Sequence, residues 1–298
     1  MYSLNAGGQS QEDMARFIED KVKSFVRTSL LNRMPTPDNN FIFDEPLVHF
    51  ADGDDPIFKE YKTIIAPTHL TPHEALVKTV NKDSEDIPVH LSVISWILPI
   101  SSYILKSNHR RTLSPSRLWS YSRSHGEKFN DALRKHMVKL INKMGYMAVA
   151  QVLQPYFKRL TNEKGRYSNW SERHVAYAAG LGTFSLSDGF ITERGIAHRC
   201  GSVVTDLLLP ASPRTAKSPY SNCLFYANNS CTACIARCPG GAITEDGHDK
   251  IKCYDYVHDK LRHLLQKYNV KVAGCGLCQT KVPCESRNPA RKLNQKVG

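Results

Sequence analysis

Long apolar runs and export signals are missing from this 298-residue sequence. The most apolar stretch, Ile87 to Leu105, contains two prolines, a histidine and four serines, so it is too polar to lie in lipid. No basic start followed by an apolar core stands at the N-terminus, and no twin-arginine leader precedes one. These absences predict a soluble protein that is not exported, with the reducing cytoplasm as its compartment.

Familiar nucleotide-binding and hydrolase motifs are missing as well. The sequence has no phosphate-loop run, no dinucleotide fingerprint, no zinc-hydrolase helix motif and no repeat of whole-domain size. Acidic residues are also scarce, because 28 Asp and Glu stand against 40 Lys and Arg, which gives a formal charge of +12. Such a basic surface suits an acidic redox partner, a phosphate-bearing ligand or RNA, and charge does not choose among them.

Cysteine is the residue type whose arrangement carries the chemistry. Eight of the nine cysteines follow residue 222. Among them, Cys231, Cys234, Cys238 and Pro239 reproduce the last three cysteines and the proline of the bacterial ferredoxin run, in which the cysteine before the proline ligates the other cluster. In a reducing compartment, clustered cysteines more often bind metal than form disulfides. We therefore predict two [4Fe–4S] clusters, with zinc and disulfides as the alternatives.

The ferredoxin run lacks its first cysteine, because Asn228 occupies that position. Cys223, five residues earlier, is the natural substitute. Crossed ligation then predicts one cluster on Cys223, Cys231, Cys234 and Cys284, and the other on Cys238, Cys253, Cys275 and Cys278. Cys200 lies outside both sets and is expected to be a small buried hydrophobe. Two oxidised clusters together carry about four negative charges, which offsets part of the basic excess.

Hydrophobic periodicity predicts helices alternating with strands before the cysteines. Amphipathic helices are predicted over Gln11 to Val26 and Glu127 to Tyr146, and Ser171 is expected to cap a short helix. Residues 32–55 should run as an extended surface segment. Strands are predicted over Tyr61 to Pro67, Leu91 to Leu98 and Met147 to Leu153, and over Asp188 to Thr192 paired with Gly201 to Leu209. The proline-rich segment 210–222 is predicted to be a linker, which gives domains 1–210 and 211–298. The predicted helices and strands together give an α+β fold.

Two motifs before the linker resemble a known family. His174 to Thr192 reads HVAYAAGLGTFSLSDGFIT, and Gly201 to Leu209 reads GSVVTDLLL. With the cysteines, they resemble the cobalamin-dependent iron–sulfur reductases that include epoxyqueuosine reductase and the reductive dehalogenases. The resemblance covers the second half of the chain well and the first half in outline. It implies a nitroreductase-like α/β core that holds a corrinoid, and a C-terminal ferredoxin-like module with two [4Fe–4S] clusters that delivers electrons to the cobalt.

The resemblance also implies residue roles. An acidic proton donor of the epoxyqueuosine reductases aligns with Lys128, and Tyr121 and His125 are the neighbouring candidates for proton donor. A lysine can donate only if burial lowers its pKa towards neutrality, and the alternative is that all three are surface residues at a helix start. The residues implied to contact the corrinoid are Ala179, Gly180, Leu181, Gly182, Ser187, Asp188, Gly189, Ile191, Thr192, Gly201, Ser202 and Thr205.

The function implied is an oxidoreductase that passes electrons through two clusters to a corrinoid, which reduces a small or nucleoside-like substrate. Its expected electron donor is a low-potential protein, either ferredoxin or flavodoxin. No membrane is expected among its partners. One alternative is an electron-transfer or activating protein that reduces a corrinoid or flavin on a partner. A second alternative is epoxyqueuosine reduction on tRNA, although the tRNA-binding helical repeats of longer family members are not expected so soon after Cys284.

Overall fold

The computed structural model describes residues 10–80, 87–163, 165–272, 274–291 and 293. Its α-helices are α1 (Gln11–Thr28), α2 (Ile57–Ile64), α3 (Pro72–Val80), α4 (Ser102–His109), α5 (Arg117–Lys143), α6 (Glu172–Ala178), α7 (Leu224–Asn228), α8 (Ala233–Ala236), α9 (Lys250–Asp255) and α10 (His263–Tyr268). Its strands are β1 (Leu47–Asp52), β2 (Ser92–Pro99), β3 (Ala148–Val149), β4 (Arg159–Asn162), β5 (Gly165–Ser168), β6 (Gly182–Phe184), β7 (Phe190–Thr192), β8 (His198–Thr205), β9 (Ile243–Thr244) and β10 (Gly247–His248).

The central sheet has four antiparallel strands in the order β1-β2-β8-β3. Strand β2 is buried along its whole length, and it pairs with β8 from Ser92 opposite Thr205 to Pro99 opposite His198. Because helices cover both faces of this sheet, the inner strand β2 is a largely apolar run, whereas β8 is more polar and reads HRCGSVVT. Three further hairpins, β4–β5, β6–β7 and β9–β10, lie outside it.

The sheet separates two apolar cores. Since side chains alternate along a strand, Ile94, Trp96 and Leu98 face the core built with α1, α4 and α5. Val93 and Ile97 face the opposite core, which is built with α2, α3 and α6. The domain is therefore a three-layer arrangement of helices, sheet and helices.

Trp96 joins the sheet to α5 through packing and a hydrogen bond. Its indole packs on Gly201 of β8, where an added Cβ would lie 2.5 Å from the ring. Its Nε1 donates to Asn130 Oδ1 (2.9 Å), and the Asn130 amide donates to the Cys200 carbonyl (2.8 Å). Glycine at position 201 is thus required by close approach of the indole rather than by a ligand.

The cysteine-rich segment, which we define as residues 223–293, packs directly on this core. His109 Nε2 lies 2.7 Å from Glu285 Oε2, and the Arg237 guanidinium donates to the Arg111 carbonyl (2.7 Å). The backbone N–H of Ile196 donates to the Cys284 carbonyl (2.8 Å). Residues 206–222 join the two parts without a helix or strand, and the domain boundary at residue 210 stays a prediction.

Several predicted elements are confirmed and others are wrong. The first helix and the strand at Leu91 to Leu98 are present as α1 and β2, and the long helix is α5, which begins ten residues earlier than predicted. The strand predicted at Tyr61 to Pro67 is wrong, because α2 occupies this region and buries Ile57, Phe58 and Tyr61 along one helical face. The extended segment 32–55 contains a sheet strand, β1.

The predicted pairing of Asp188 to Thr192 with Gly201 to Leu209 is also wrong. Strand β7 pairs with β6, whereas β8 pairs with β2 and β3. The strand predicted at Met147 to Leu153 is two residues long, and a 3-10 turn follows it. Across the described residues, none of the helices combines the length and apolar character that crossing a bilayer requires.

Candidate functional site

Four of the predicted ligand cysteines surround one small cavity, and we call them the first cysteine group. Cys223 precedes α7, Cys231 precedes α8, Cys234 lies within α8, and Cys284 comes from the loop near the end of the chain. All four line a cavity whose other walls include Ile191 and Val282. Burial, reinforced by the charges of its two neighbours in this group, raises the pKa of Cys234 to about 11.

The other four predicted ligands form the second cysteine group, composed of Cys238, Cys253, Cys275 and Cys278. Burial raises the pKa of Cys278 well above its ordinary value, and the neighbouring thiolates of the other three raise it further. The backbone N–H of Ala242 donates to Cys238 Sγ (3.2 Å). The structure thus brings the cysteines together in the same two sets that crossed ligation predicts, although ligation itself stays a prediction.

Cysteines crowded in this way ionise together only in the presence of a cation. Each ionised thiolate disfavours ionisation of the next, so four thiolates coexist only when metal neutralises them. Within the described residues, no three His, Cys, Asp or Glu side chains are close enough to hold one metal ion together.

A larger cavity of about 640 Å³ lies beside the cysteine groups. Its walls come from α2, the β4–β5 hairpin, α6, the β6–β7 hairpin, the linker and α9. Aromatic rings and cationic side chains dominate the lining. The aromatic set is Tyr61, Tyr167, Tyr177, Phe184 and Tyr220, and the cationic set is Arg159, Arg166, Arg173 and Lys250. We call it the aromatic cavity.

His174 lies in the wall of the aromatic cavity and is held from two sides. Ser171 Oγ lies 2.8 Å from His174 Nδ1, and the Tyr61 hydroxyl donates to the His174 carbonyl (2.7 Å). Burial, with the nearby charge of Arg173, lowers the pKa of His174 to about 3, so the imidazole is neutral at pH near 7. Ser171 precedes α6 as predicted, but its hydroxyl bonds this histidine instead of capping the helix backbone.

The turn of the β6–β7 hairpin stands between the aromatic cavity and the first cysteine group. Asp188 lines the aromatic cavity, while Ser185 and Ser187 of the same turn line the cysteine cavity. The Asp188 carboxylate also lies 3.2 Å from His248 Nδ1 and 3.6 Å from Lys250 Nζ. A single turn of chain therefore contacts both sites.

Most residues that the resemblance assigns to a corrinoid are packed against protein here. Of the twelve, Asp188 lines the aromatic cavity, whereas Ser187 and Ile191 face the first cysteine group. Gly180 approaches the Pro213 carbonyl, where an added Cβ would lie 2.5 Å away, and Gly182 packs on the Ile191 backbone. The remaining residues are enclosed by neighbouring side chains or fully buried: Ala179, Leu181, Gly189, Thr192, Gly201, Ser202 and Thr205.

The proton-donor candidates lie together on α5 but outside the aromatic cavity. Tyr121 is buried, and its hydroxyl accepts from Arg117 Nε (2.8 Å). Its ring meets His125 edge-on at 5.7 Å, and Lys128 is exposed. Burial, followed by the charge of Lys128, lowers the pKa of His125.

Sequence reasoning missed the cations and aromatics of the aromatic cavity. They come from six separate elements, so no local spacing marks them. The β4–β5 hairpin offers the one local signal, because Gly165, in a left-handed conformation, closes a tight turn that places Arg166 and Tyr167 on the cavity.

Comparisons with known proteins first define the fold. No family model matches the sequence. A catabolic reductive dehalogenase aligns with a TM-score of 0.53 and 14% identity over 94% of this chain and 38% of that chain. A second reductive dehalogenase, from a structure described as suggesting a mechanism for B12-dependent dehalogenation, aligns with a TM-score of 0.52 and 13% identity over 95% of this chain and 39% of that chain. The chain therefore shares a mixed α/β fold with reductive dehalogenases.

Sequence comparison identifies a second kind of relative. The epoxyqueuosine reductases of Bacillus cereus and Bacillus anthracis are each 30% identical over 119 residues, which is 38% of this chain. The match spans 29% of the length of these relatives. Both kinds of relative are oxidoreductases by name, and the predicted resemblance to the superfamily that contains them is confirmed.

Proposed function

We propose that this chain is an iron–sulfur oxidoreductase that passes electrons through two [4Fe–4S] clusters to a molecule held in the aromatic cavity. The observation that carries the proposal is the β6–β7 turn, in which Ser187 faces the first cysteine group and Asp188, the next residue, faces the cavity. Two sites that share one turn of chain are close enough to exchange electrons. The oxidoreductase names of the relatives support this reading.

The cysteine groups are the proposed cluster ligands, within a ferredoxin-like module that begins at residue 211. When bound, the clusters supply one-electron transfer at potentials set by hydrogen bonds and solvent exposure. The chain contributes the Ala242 N–H that donates to Cys238 Sγ, and apolar walls around the first group from Ile191, Ile196 and Val282. The hydrogen bond stabilises the thiolate form of Cys238, and the apolar walls limit the access of water.

The aromatic cavity is the proposed site of the electron acceptor, where a nitroreductase-like core that ends near residue 210 meets the linker and α9. Its rings suit a flat molecule, and its cations suit a negative charge. His174, kept neutral and fixed by Ser171, can exchange a hydrogen bond with a bound molecule without adding charge. A nucleoside-like substrate is consistent with the names of the sequence relatives, and ferredoxin or flavodoxin stays the predicted donor.

A corrinoid is the acceptor that the resemblance implies, but the residues assigned to it do not fit as the chain is folded. Pro213, Ile191 and Trp96 already fill the approaches to Gly180, Gly182 and Gly201. We therefore derive no step through cobalt. A corrinoid held by this chain would have to use the walls of the aromatic cavity instead.

Iron content tests the cluster assignment. Anaerobically reconstituted protein should hold about eight irons, and Cys231→Ala or Cys278→Ala should each retain about four, because each removes a ligand of one cluster. Cys200→Ala is the matched control and should keep the full content, since Cys200 is half-buried beside His198 and belongs to neither cysteine group. Full iron content in both ligand variants, or a protein that takes up zinc alone, would contradict the proposal.

Cluster reoxidation tests electron delivery. Protein reduced with dithionite and freed of excess reductant should lose its reduced-cluster signal faster when hydroxocobalamin is added, and a base-off visible spectrum would identify the corrinoid as bound. Tyr177→Ala removes a ring from the wall of the aromatic cavity and should slow this reoxidation. Tyr103→Ala is the control and should not slow it, because Tyr103 lies outside the cavity and its hydroxyl donates a hydrogen bond to Asp38. Equal reoxidation rates in Tyr177→Ala and the unaltered protein would mean that the acceptor binds outside the aromatic cavity.

A further inference from the structure

The two cysteine groups differ in the charges that surround them. Apart from its cysteines, the cavity of the first cysteine group is lined by serine, proline and apolar side chains, and none of these described residues carries a charge. Burial raises the pKa of Cys234 to about 11, and the strongest charges that act on it, those of Cys223 and Cys231, add to the rise. The first group therefore lies in surroundings that oppose added negative charge.

Arg237 gives the second cysteine group a cation. It is half-buried and directly precedes Cys238 in the chain. Its Nε donates to the carbonyls of Leu277 (3.3 Å) and Thr280 (3.1 Å), which lie on either side of Cys278 in the sequence. One guanidinium therefore joins the two segments that carry Cys238 and Cys278.

Carboxylates do not neutralise this guanidinium in the part of the chain that the structure describes. Its other hydrogen bonds end on the carbonyls of Arg111 (2.7 Å) and Asn108 (3.4 Å) and on the Thr280 hydroxyl (3.5 Å). Neutral oxygens satisfy its donors but leave its positive charge, and an arginine side chain does not lose its proton at working pH. The second group therefore has a permanent cation beside it.

The charge of Arg237 acts on a thiol of the second group. Burial raises the pKa of Cys275 to about 11, and the thiolates of Cys253 and Cys238 add to the rise, whereas the charge of Arg237 opposes it. His248 also lies near Cys253, but the Asp188 carboxylate is 3.2 Å from its Nδ1, so this pair adds little net charge. The difference between the two groups therefore comes mainly from Arg237.

A cation beside an iron–sulfur cluster favours its reduced form. Reduction adds one electron, and thus one negative charge, to a cluster that its four thiolates already make anionic, and net charge is among the features that set cluster potentials. A unit positive charge about 10 Å from the added electron changes the equilibrium constant for reduction by about tenfold at an effective dielectric constant of about 20. The unequal charges therefore predict unequal potentials.

We infer that Arg237 raises the reduction potential of the cluster proposed for the second cysteine group above that of the first. The inference rests on the proposed function, since it needs a cluster on each group. The first electron that a low-potential donor supplies then stays on the second group, and a further electron is needed to reduce the first. The cluster that faces the turn shared with the aromatic cavity remains the stronger reductant of the two.

A redox titration of the intact, cluster-loaded protein tests the order of the potentials. Dithionite is added anaerobically with mediator dyes, and electron paramagnetic resonance measures the reduced clusters. The two one-electron steps should differ by about tenfold or more in equilibrium constant, which is about 59 mV. Cys231→Ala, which keeps the ligands of the second group, should retain the step at the higher potential. Cys278→Ala should retain the step at the lower potential.

Substitution of Arg237 tests the cause of the difference. Arg237→Gln removes the charge and should lower the equilibrium constant for reduction of the second group about tenfold, while the first group in the same molecule keeps its potential. Arg237→Lys keeps the charge without the planar fork and should retain most of the difference. Lys267→Gln is the control and should change neither potential, because Lys267 is exposed on α10 and solvent screens its charge.

A purely structural role for Arg237 gives a different result. If the guanidinium only joined the cysteine-rich segment to the carbonyl of Arg111, both Arg237 variants would lose iron or unfold at lower urea concentration, and neither potential would move in the protein that stays folded. That outcome would overturn the inference, as would equal potentials or the reverse order in the unaltered protein. The order of potentials in the two cysteine variants decides the inference even where Arg237→Gln does not retain its second cluster.

Failure of the inference and failure of the proposed function are separable. Equal potentials in a protein that holds about eight irons and is reoxidised by hydroxocobalamin would overturn the inference alone. A protein that takes up no iron would overturn both, and iron analysis shows this before any titration. Unequal potentials without reoxidation would support the role of Arg237 and contradict electron delivery to the aromatic cavity.

Discussion

The three-layer domain that precedes residue 206, which we call the sheet domain, and the cysteine-rich segment are each stabilised by different interactions. In the sheet domain, β2 is buried along all eight residues, and α5 runs for 27 residues against β8. In the cysteine-rich segment, the described helices have four to six residues, and the two strands have two residues each. Short elements of this kind are marginal unless something outside the backbone stabilises them.

The difference lies in what each region buries. The sheet domain buries large side chains on both faces, among them Trp96, Phe129 and Trp170. The cysteine-rich segment buries mostly small or medium side chains such as Ala242, Ile243 and Leu277, and its thiols crowd one another. Apolar burial accounts for the sheet domain, whereas the cysteine-rich segment has less of it to offset the entropy of its long irregular loops. The proposed clusters would supply the missing stabilisation.

Removal of iron should therefore break one region and spare the other. After chelation under oxidising conditions, amide hydrogens of residues 223–293 should lose nearly all protection, because binding of the clusters and folding of the segment are coupled. Amides of β2 and β8 should stay protected, since no cluster ligand lies in them. Hydrogen exchange followed by mass spectrometry measures both regions in one sample.

The contrary result is also informative. Protection that persists across residues 223–293 in iron-free protein would mean that packing on the core, through contacts such as His109 with Glu285, holds the segment without metal. Loss of protection in both regions would mean that the two fold as one cooperative unit.

Trp96→Ala should show the reverse pattern. Deleting a fully buried indole and its hydrogen bond to Asn130 should lower the free energy of unfolding by about 3 to 5 kcal/mol, through the cavity left between β2 and α5. Iron content should not change in the folded protein, because Trp96 contacts neither cysteine group.

Denaturant titration monitored by far-ultraviolet circular dichroism measures the loss, with Leu113→Ala as the control. Leu113 is 69% exposed, so its removal should change stability by less than about 0.5 kcal/mol. A Trp96 variant that unfolds normally but loses iron would show that the sheet domain positions the clusters directly.

Local sequence patterns predicted the helices that bury one face and the strand that is buried along its whole length. The spacing of apolar residues in α1 and α5 and the apolar run of β2 decide their structure, because each lies directly on the core. The run around Tyr61 is too short for its period to distinguish helix from strand. Its structure as α2 is decided by packing on α6, which no local pattern reports.

The two sites differ in the same way. The cysteine groups could be predicted because ligand type and spacing act locally along the chain. The aromatic cavity could not, because Tyr61, Arg166 and Tyr220 come from segments far apart in the sequence. The glycines of the AAGLG motif have a packing role that the sequence does not reveal, since Gly180 approaches Pro213 and Gly182 approaches Ile191 closely.

The smallest expected effect is a pH dependence of stability that belongs to the sheet domain and not to the cysteine-rich segment. His198, at the start of β8, is buried and donates from Nε2 to the Phe190 carbonyl (2.7 Å), and burial lowers its pKa to about 4. The unfolded chain protonates this histidine near its ordinary pKa of about 6.5, so the unfolded state binds more protons as pH falls below that value. The stability that neutral His198 contributes is present above that pH and declines as pH falls towards the folded pKa. Its loss between about pH 7 and about pH 5 should reach roughly 2 kcal/mol.

His198→Gln should flatten this dependence by about that amount, while His90→Gln, at a histidine exposed beside Asp54, should leave it unchanged. Unfolding of the sheet domain in urea at several pH values measures the two slopes, and comparison at equal iron content cancels the acid sensitivity of the cysteine-rich segment. His69, whose pKa burial lowers to about 4, acts in the same direction and remains in both variants, so the slope should shrink without vanishing. An unaltered slope in His198→Gln would show that His198 takes up its proton through a local opening near the cavity, before the sheet unfolds.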